Sequence, residues 1–261
     1  MNNDPAAASS RLLTLARDLK RRKARERNSL FVAEGVRAVE ELVRSGVPMH
    51  GVLTTDDLRT TERGAALVGA IQARSVDCTS VSDKDFRSAA GTDSPQGILA
   101  IAEVPVHAID EIEPAVLARA LVLDSIQDPG NVGTLIRTAA ALGIRSVIAL
   151  PGTVDPWNAK VVRSGAGGHF HVIVTKTEPQ DLFAALRAAD VALWGADASG
   201  TPVGALTAPP RLALAVGNEG AGLTPAVRGA AVQLVSLPMA AGVESFNVAV
   251  AAGILLYALA P

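Results

Sequence analysis

The chain has 261 residues, 49% of them apolar and 19% charged, with a net charge of −2; this is the composition of a globular protein of one large or two ordinary domains with ample core. A single cysteine, Cys78, excludes an internal disulfide and a cysteine zinc site, and His50, His107, His169 and His171 lack metal-ligand spacing, so no metal is expected. With no secretory signal and no apolar run long enough to span a bilayer, the expectation is a cytoplasmic protein without a membrane partner.

Met1–Ser10 is small and polar and is expected to be disordered, with Ser10 capping a helix through the basic segment that follows. Between Arg11 and Arg27 stand eight Lys/Arg against Asp18 and Glu26, a net of +6 in a chain whose total is −2. Such segregation suits an RNA-contacting face and equally a solvated helix face. Phe31–Arg44 begins as a strand and continues as an amphipathic helix ending near Gly46. Val47–Thr54, Ser75–Val81 and Ile98–Val104 read as strands, Glu62–Ala73 as a helix, and Ser94-Pro95-Gln96-Gly97 as a turn. The alternation predicts a small α/β domain over residues 29–104, preceded by a basic extension over 1–28. An acidic run between Pro105 and Pro114 marks residues 105–114 as a linker.

A second domain, 115–261, opens with the strand Leu121–Asp124. Asp128-Pro129-Gly130-Asn131 turns into a helix over Val132–Leu142, with Asn131 as its expected N-cap and Gly143 as its stop. Val132, Leu135, Ile136, Ala139 and Leu142 share one face; Arg137 lies off it, and periodicity alone makes it a surface arginine. Ser146–Leu150 is a strand, and Asp155-Pro156 is expected to cap the next helix, which ends at Ser164-Gly165. His169 and His171 alternate along a predicted strand and read as surface or core histidines. Leu182–Ala189 is a helix and Ala192–Ala196 a strand.

The strand Leu212–Val216 ends in the loop Gly217-Asn218-Glu219-Gly220-Ala221-Gly222, whose glycines permit sharp turns and close approach to a ligand. Thr224-Pro225 reads as a cap and first helical position. Val232–Leu237 is a strand, and the last helix, with Val248, Val250, Ala252, Ile254, Leu256 and Leu259, is apolar nearly all round and expected to be buried on every side, by the core or equally by a dimer interface. The loop has P-loop-like glycine spacing, but Leu223 stands where the lysine belongs and Glu219 would face phosphates, so a nucleoside triphosphate fits poorly.

Three stretches, LVLDSIQDPGNVGTLIRTAAALGI, GNEGAGL and SLPMAAGVESFNVAVAAGILLY, resemble in order motifs one to three of the SpoU (TrmH-type) RNA ribose 2′-O-methyltransferases of the SPOUT class. FVAEGVRAVEELV and SPQGILAI resemble the RNA-binding, ribosomal-protein-like domain that precedes the catalytic domain in many of them. The resemblance implies a trefoil-knotted parallel-sheet catalytic domain behind a small α/β RNA-binding domain. It also implies a homodimer that uses S-adenosylmethionine and acts on RNA, ribosomal RNA ranking ahead of transfer RNA. Knots are nearly absent from proteins, so this one is carried over from the family alone.

By the same resemblance the cofactor lies against Gly217, Leu237 and Phe246, with Asn218, Met239 and Asn247 close by, and Asn131, Arg137 and Glu219 serve catalysis. A guanidinium keeps its proton, so Arg137 is expected to clamp a phosphate and orient the ribose hydroxyl. Glu219 is read either as holding that arginine or as bracing the loop through backbone N–H groups, and Asn131 as fixing the loop. Ser236 and Ser245 are minor candidates for supporting hydroxyls. The competing readings are an RNA-binding protein with this fold and no turnover, and a nucleotide-binding α/β enzyme, which the missing lysine and the missing G-x-G-x-x-G disfavour.

Overall fold

A computed structural model describes residues 5–240, 242 and 245–260. In chain order the elements are α1 (Pro5–Asp18), α2 (Arg22–Asn28), β1 (Leu30–Glu34), α3 (Val36–Ser45), β2 (Met49–Thr54), α4 (Asp56–Thr60), α5 (Glu62–Gln72), β3 (Cys78–Ser80), α6 (Asp83–Ala89) and β4 (Ile98–Glu103). They continue with α7 (Pro114–Leu117), β5 (Arg119–Asp124), α8 (Pro129–Ala141), β6 (Ser146–Ala149), α9 (Ala159–Gly165), β7 (Ile173–Lys176), α10 (Pro179–Ala188) and β8 (Ala192–Pro202). The last are β9 (Leu212–Gly217), α11 (Pro225–Ala230), β10 (Gln233–Ser236) and α12 (Val248–Ala258). The chain divides into two units, residues up to Pro105 with Trp157–Phe170, and Val106–Pro156 with the chain from His171 onward.

The first unit carries a sheet of order β1-β4-β2-β3, β4 running antiparallel to both its neighbours and β2 parallel to β3. Leu13 and Ala16 of α1, and Leu19 just after it, are buried in one cluster with Val32, Leu53, Phe86 and Ile101. Pro5–Ser10, expected to be disordered, is thus the start of a helix, and Ser10 lies inside it, its carbonyl accepting from Thr14 Oγ1 at 2.8 Å. The expected disorder of Met1–Asp4 falls outside the described residues. Much of the basic segment serves the fold. Lys20 Nζ donates to the Ala90 carbonyl at 2.7 Å, Arg17 Nε to Ser88 Oγ at 2.8 Å, and buried Arg25 to the Leu19 carbonyl at 2.9 Å. Arg21 pairs with Asp18 and Arg22 with Glu26.

Trp157–Phe170, placed by sequence in the second domain, groups with the first unit through aromatic packing. The Trp157 ring stands 4.6 Å from that of Phe31 on β1, with Phe170 at 6.3 Å on the same ring. In a chain of few aromatics these rings bury large areas at one place. Asp155 does not cap α9; Asn158 does, accepting from Lys160 N at 2.9 Å, while Asp155 is buried beside Lys176 at 3.8 Å. His169 sits in a 3-10 turn against Trp157 and not on a strand.

The second unit is built on six parallel strands in the order β10-β8-β9-β5-β6-β7. Its central strands β5 and β9 are unbroken apolar runs buried on both faces, as parallel strands covered by helices must be. The chain builds β5, β6 and β7 outward in one direction, then returns to place β9 beside β5. That reversal makes the carboxyl ends of β5 and β9, where Asp124 pairs with Gly217, the topological switch point at which α/β sheets hold ligands. The segment 105–114 contributes buried Ile109 and Ile112 to this unit's core.

The last helix is not enclosed by this chain alone. One side of α12 is buried through Ala249, Ala252, Leu255 and Leu256, but Val250, Ile254 and Tyr257 are 50%, 42% and 75% exposed. Its Gly253 is explained by α8, because a Cβ there would stand 3.3 Å from Thr138 Cγ2.

Candidate functional site

The loops after β5 and β9 meet at the switch point, and side-chain amides join them. The cap of α8 is Asp128, not Asn131: its Oδ1 accepts from the Asn131 backbone N–H at 2.8 Å, with Pro129 at the first helical position. Asn131 therefore lies in the first turn, with its side chain free to reach outward. Its Nδ2 donates to Glu219 Oε1 at 2.8 Å, and its Oδ1 accepts from Asn247 Nδ2 at 3.0 Å. Asn247 Oδ1 in turn caps α12, accepting from Ala249 N at 2.9 Å and Val250 N at 3.3 Å. A carboxylate, two amides and a helix N-terminus thus form one polarised line through the segments holding Glu219, Asn131 and Asn247.

Of the two readings of Glu219, the geometry carries bracing. Burial alone would raise its carboxyl, but hydrogen bonds from the Asn131 side chain and the backbone amides of Glu219, Gln127 and Asp128 hold it below the usual carboxylate range. Arg137 is exposed on α8 and has no partner among the described residues. It is open to a ligand from solvent.

Asn218 is consumed by its own loop. Its Nδ2 donates to the Ser125 carbonyl at 2.9 Å, its Oδ1 accepts from Gly220 N and Ala221 N at 3.0 Å each, and its backbone bonds reciprocally with Gly222 at 2.9 Å. Gly217 lies under that closure, where an added Cβ would meet the Gly222 carbonyl carbon at 2.2 Å. The glycine is required by the loop's own backbone as well as by any ligand. Leu237 and Met239 follow β10 and are partly buried, and Phe246 is 41% exposed just before α12.

Sequence reasoning missed three contributors, two of which carry no sequence signal. Ser125 adopts φ +62°, a left-handed conformation for a non-glycine residue that no composition signal marks. Buried Asp124 accepts from Thr224 N at 2.6 Å, tying the end of β5 to the start of α11. Asp128 was legible as an Asp-Pro pair, the same cap-then-proline signal that Thr224-Pro225 gives correctly. Ser236 is spent structurally, its Oγ donating to the Gly200 carbonyl at 2.8 Å.

Residues 118–257 match the SpoU rRNA Methylase family, and residues 14–100 match the MRM3-like substrate binding domain. Over 239 residues the chain is 34% identical to the 23S rRNA (guanosine(2553)-2'-O)-methyltransferase RlmP of Bacillus subtilis, with 91% of each chain covered. It is 29% identical over 243 residues to the 23S rRNA (uridine(2479)-2'-O)-methyltransferase of Streptomyces viridochromogenes, covering 90% of this chain and 84% of that one. The AdoMet-bound rRNA methyltransferase of Sinorhizobium meliloti superposes with a TM-score of 0.84 at 27% identity, over 95% of this chain and 93% of that one.

Proposed function

We propose, for a chain that belongs to the SpoU rRNA methylase family, that it methylates a ribose 2′-hydroxyl of ribosomal RNA. It is an S-adenosylmethionine-dependent RNA 2′-O-ribose methyltransferase. The observation that carries the reading in this chain is the Glu219–Asn131–Asn247 line at the switch point; Arg137 is exposed further along the same helix as Asn131.

The residues present suit the cofactor. The cluster offers neutral amides and one ionised carboxylate, a donor set compatible with a sulfonium cation and hostile to a triphosphate. Gly217, Asn218, Leu237, Met239, Phe246 and Asn247 would hold it, largely through backbone. Once bound, it supplies an electrophilic methyl group.

The remaining work falls to the chain. Glu219 and the two asparagines fix the loops, so that the pocket needs little reorganisation when substrate arrives. Arg137 brings a cationic guanidinium, whose chemistry is that of a clamp and not of a base. Its planar fork binds the phosphodiester next to the target ribose and holds the 2′-oxygen in line with the methyl group. Its charge also favours loss of the hydroxyl proton to solvent.

RNA recognition is assigned to the first unit, supported by the substrate-binding-domain match. A trefoil knot is part of the proposal and rests on membership of the family. A homodimer through α12 is supported by Val250, Ile254 and Tyr257, apolar and exposed at helical spacing. Among the described residues no helix is long and apolar enough to cross a membrane, and the cytoplasm is the proposed location. Incubation with methyl-labelled cofactor and separate ribosomal and transfer RNA pools should label the ribosomal pool; label in neither pool would leave the binding-only reading standing.

A further inference from the structure

The first unit holds a cavity of about 250 Å³, separate from the Asn131–Glu219–Asn247 cluster. It lies where the end of β1 meets the start of α3 and the turn before β4, and it is lined by Glu34, Arg37, Thr92, Ser94, Gln96 and Arg163. Glu34 is 2% exposed. Its Oε2 is occupied, accepting from Gly91 N at 2.8 Å and Arg163 Nη1 at 3.3 Å. Its Oε1 is buried with no hydrogen-bond partner among the described residues. An orphaned carboxylate oxygen in a buried position is costly, and a ligand N–H would satisfy it.

Two neighbours complete a pattern. Gln96 Oε1 accepts from Val36 N at 2.9 Å, which sets the amide so that its Nε2 is left as a donor beside the cavity. The first bond of α3 runs from Val39 N to the Gly35 carbonyl at 3.1 Å, leaving the backbone N–H groups of Arg37 and Ala38 without an intrahelical acceptor. Arg37, exposed at the second position of α3, lines the cavity and makes no hydrogen bond or salt bridge among the described residues, although its charge helps to lower the Glu40 carboxyl one turn on. The cavity therefore presents an anion-binding end and, next to it, one donor and one acceptor.

We propose that this cavity binds a single unpaired guanosine nucleotide of the RNA substrate. Its phosphate lies at the start of α3 under Arg37, and the edge of its base lies on Glu34 and Gln96. Guanine alone among the four bases sets a carbonyl acceptor beside two adjacent N–H donors on its Watson–Crick edge. That edge complements Gln96 Nε2 and Glu34 Oε1. Uracil flanks its one N–H with carbonyls that a carboxylate repels; adenine and cytosine can meet the same pair with one amino N–H and one ring nitrogen, but bring one N–H fewer to Glu34 Oε1 than guanine does. The proposal rests on the RNA-methyltransferase reading and adds a recognition site to it.

The test is saturation-transfer NMR of the full chain with the 5′-monophosphates of the four nucleosides. S-adenosylhomocysteine is kept saturating so that the cofactor site is closed to them. GMP should bind in preference to AMP, CMP and UMP, and Arg37→Ala should weaken it by about tenfold or more, the loss of a charge-assisted contact, with affinity for S-adenosylhomocysteine unchanged. Glu34→Gln should remove the preference for guanine. Equal binding of all four nucleotides and of inorganic phosphate, or GMP binding indifferent to Arg37→Ala, overturns the proposal. A chain that methylates RNA but binds no GMP sinks this proposal alone; one that binds GMP here but transfers no methyl group sinks only the enzyme reading.

Discussion

Asn131 Nδ2 donates to Glu219 Oε1 over 2.8 Å, joining side chains 88 residues apart in sequence, and the same amide accepts from Asn247. The bond makes the loops after β5 and β9 one rigid unit. Asn131→Ala should destabilise the fold by about 0.5–1.5 kcal/mol, the net worth of a hydrogen bond whose partners water can reach, and should weaken cofactor binding. Asn131→Asp should be worse, because a second carboxylate then faces Glu219. Urea unfolding of the two variants gives the order; an aspartate variant as stable as the parent would contradict it.

Glu219 supplies a pH signature. Its folded pKa is lowered from the ordinary 4.5 by its hydrogen bonds, which outweigh burial. The stability it contributes is therefore fully present above that ordinary value and is lost only as pH falls through the lower folded one. The stability gap between the parent and Glu219→Gln should stay constant from pH 8 to about pH 5 and close only below. A gap that closes between pH 7 and 5 would mean that the carboxyl is raised instead.

Gly217→Ala should lower the melting temperature even without cofactor. Its Cβ would meet the Gly222 backbone at 2.2 Å, and overpacking of this kind costs about 1–3 kcal/mol. Calorimetric melting of the cofactor-free protein checks this. An unchanged melting temperature with lost cofactor affinity would mean that the glycine serves the ligand alone.

Arg137→Ala should abolish methyl transfer while leaving the melting temperature and cofactor affinity within error of the parent, since no described residue depends on its side chain. Arg137→Lys should recover little, because a bidentate fork becomes a point charge. Isothermal titration with S-adenosylhomocysteine alongside turnover separates these effects, and loss of cofactor binding would refute the assigned role.

Much of this architecture was legible because strand and helix periods differ. β5 and β9 announce themselves as short apolar runs ended by Asp124 and Gly217, and α8 by its spaced Val132, Leu135, Ile136 and Ala139. Caps were less legible where two good candidates stood three residues apart. Asp128 and Asn131 are both strong caps, and only the proline between them decides for Asp128. That choice matters, because a capping Asn131 could not have reached Glu219. On α12 an all-apolar sequence does not say which side the chain's own core covers. The basic run misled in the opposite sense: Arg17, Lys20 and Arg25 look solvated in sequence and are hydrogen-bonded to the protein in the fold. No sequence pattern could place Trp157 against Phe31, a contact that depends on the return path of the chain.

The most direct test concerns where the methyl group goes. A ribose 2′-oxygen is the internal nucleophile of alkaline RNA cleavage, so its methylation protects the adjoining phosphodiester. Ribosomal RNA treated with the protein and S-adenosylmethionine, then partially hydrolysed in alkali and mapped by primer extension, should show one missing cut that Arg137→Ala restores. Methyl incorporation with every cut intact would place the methyl on a base and contradict the account.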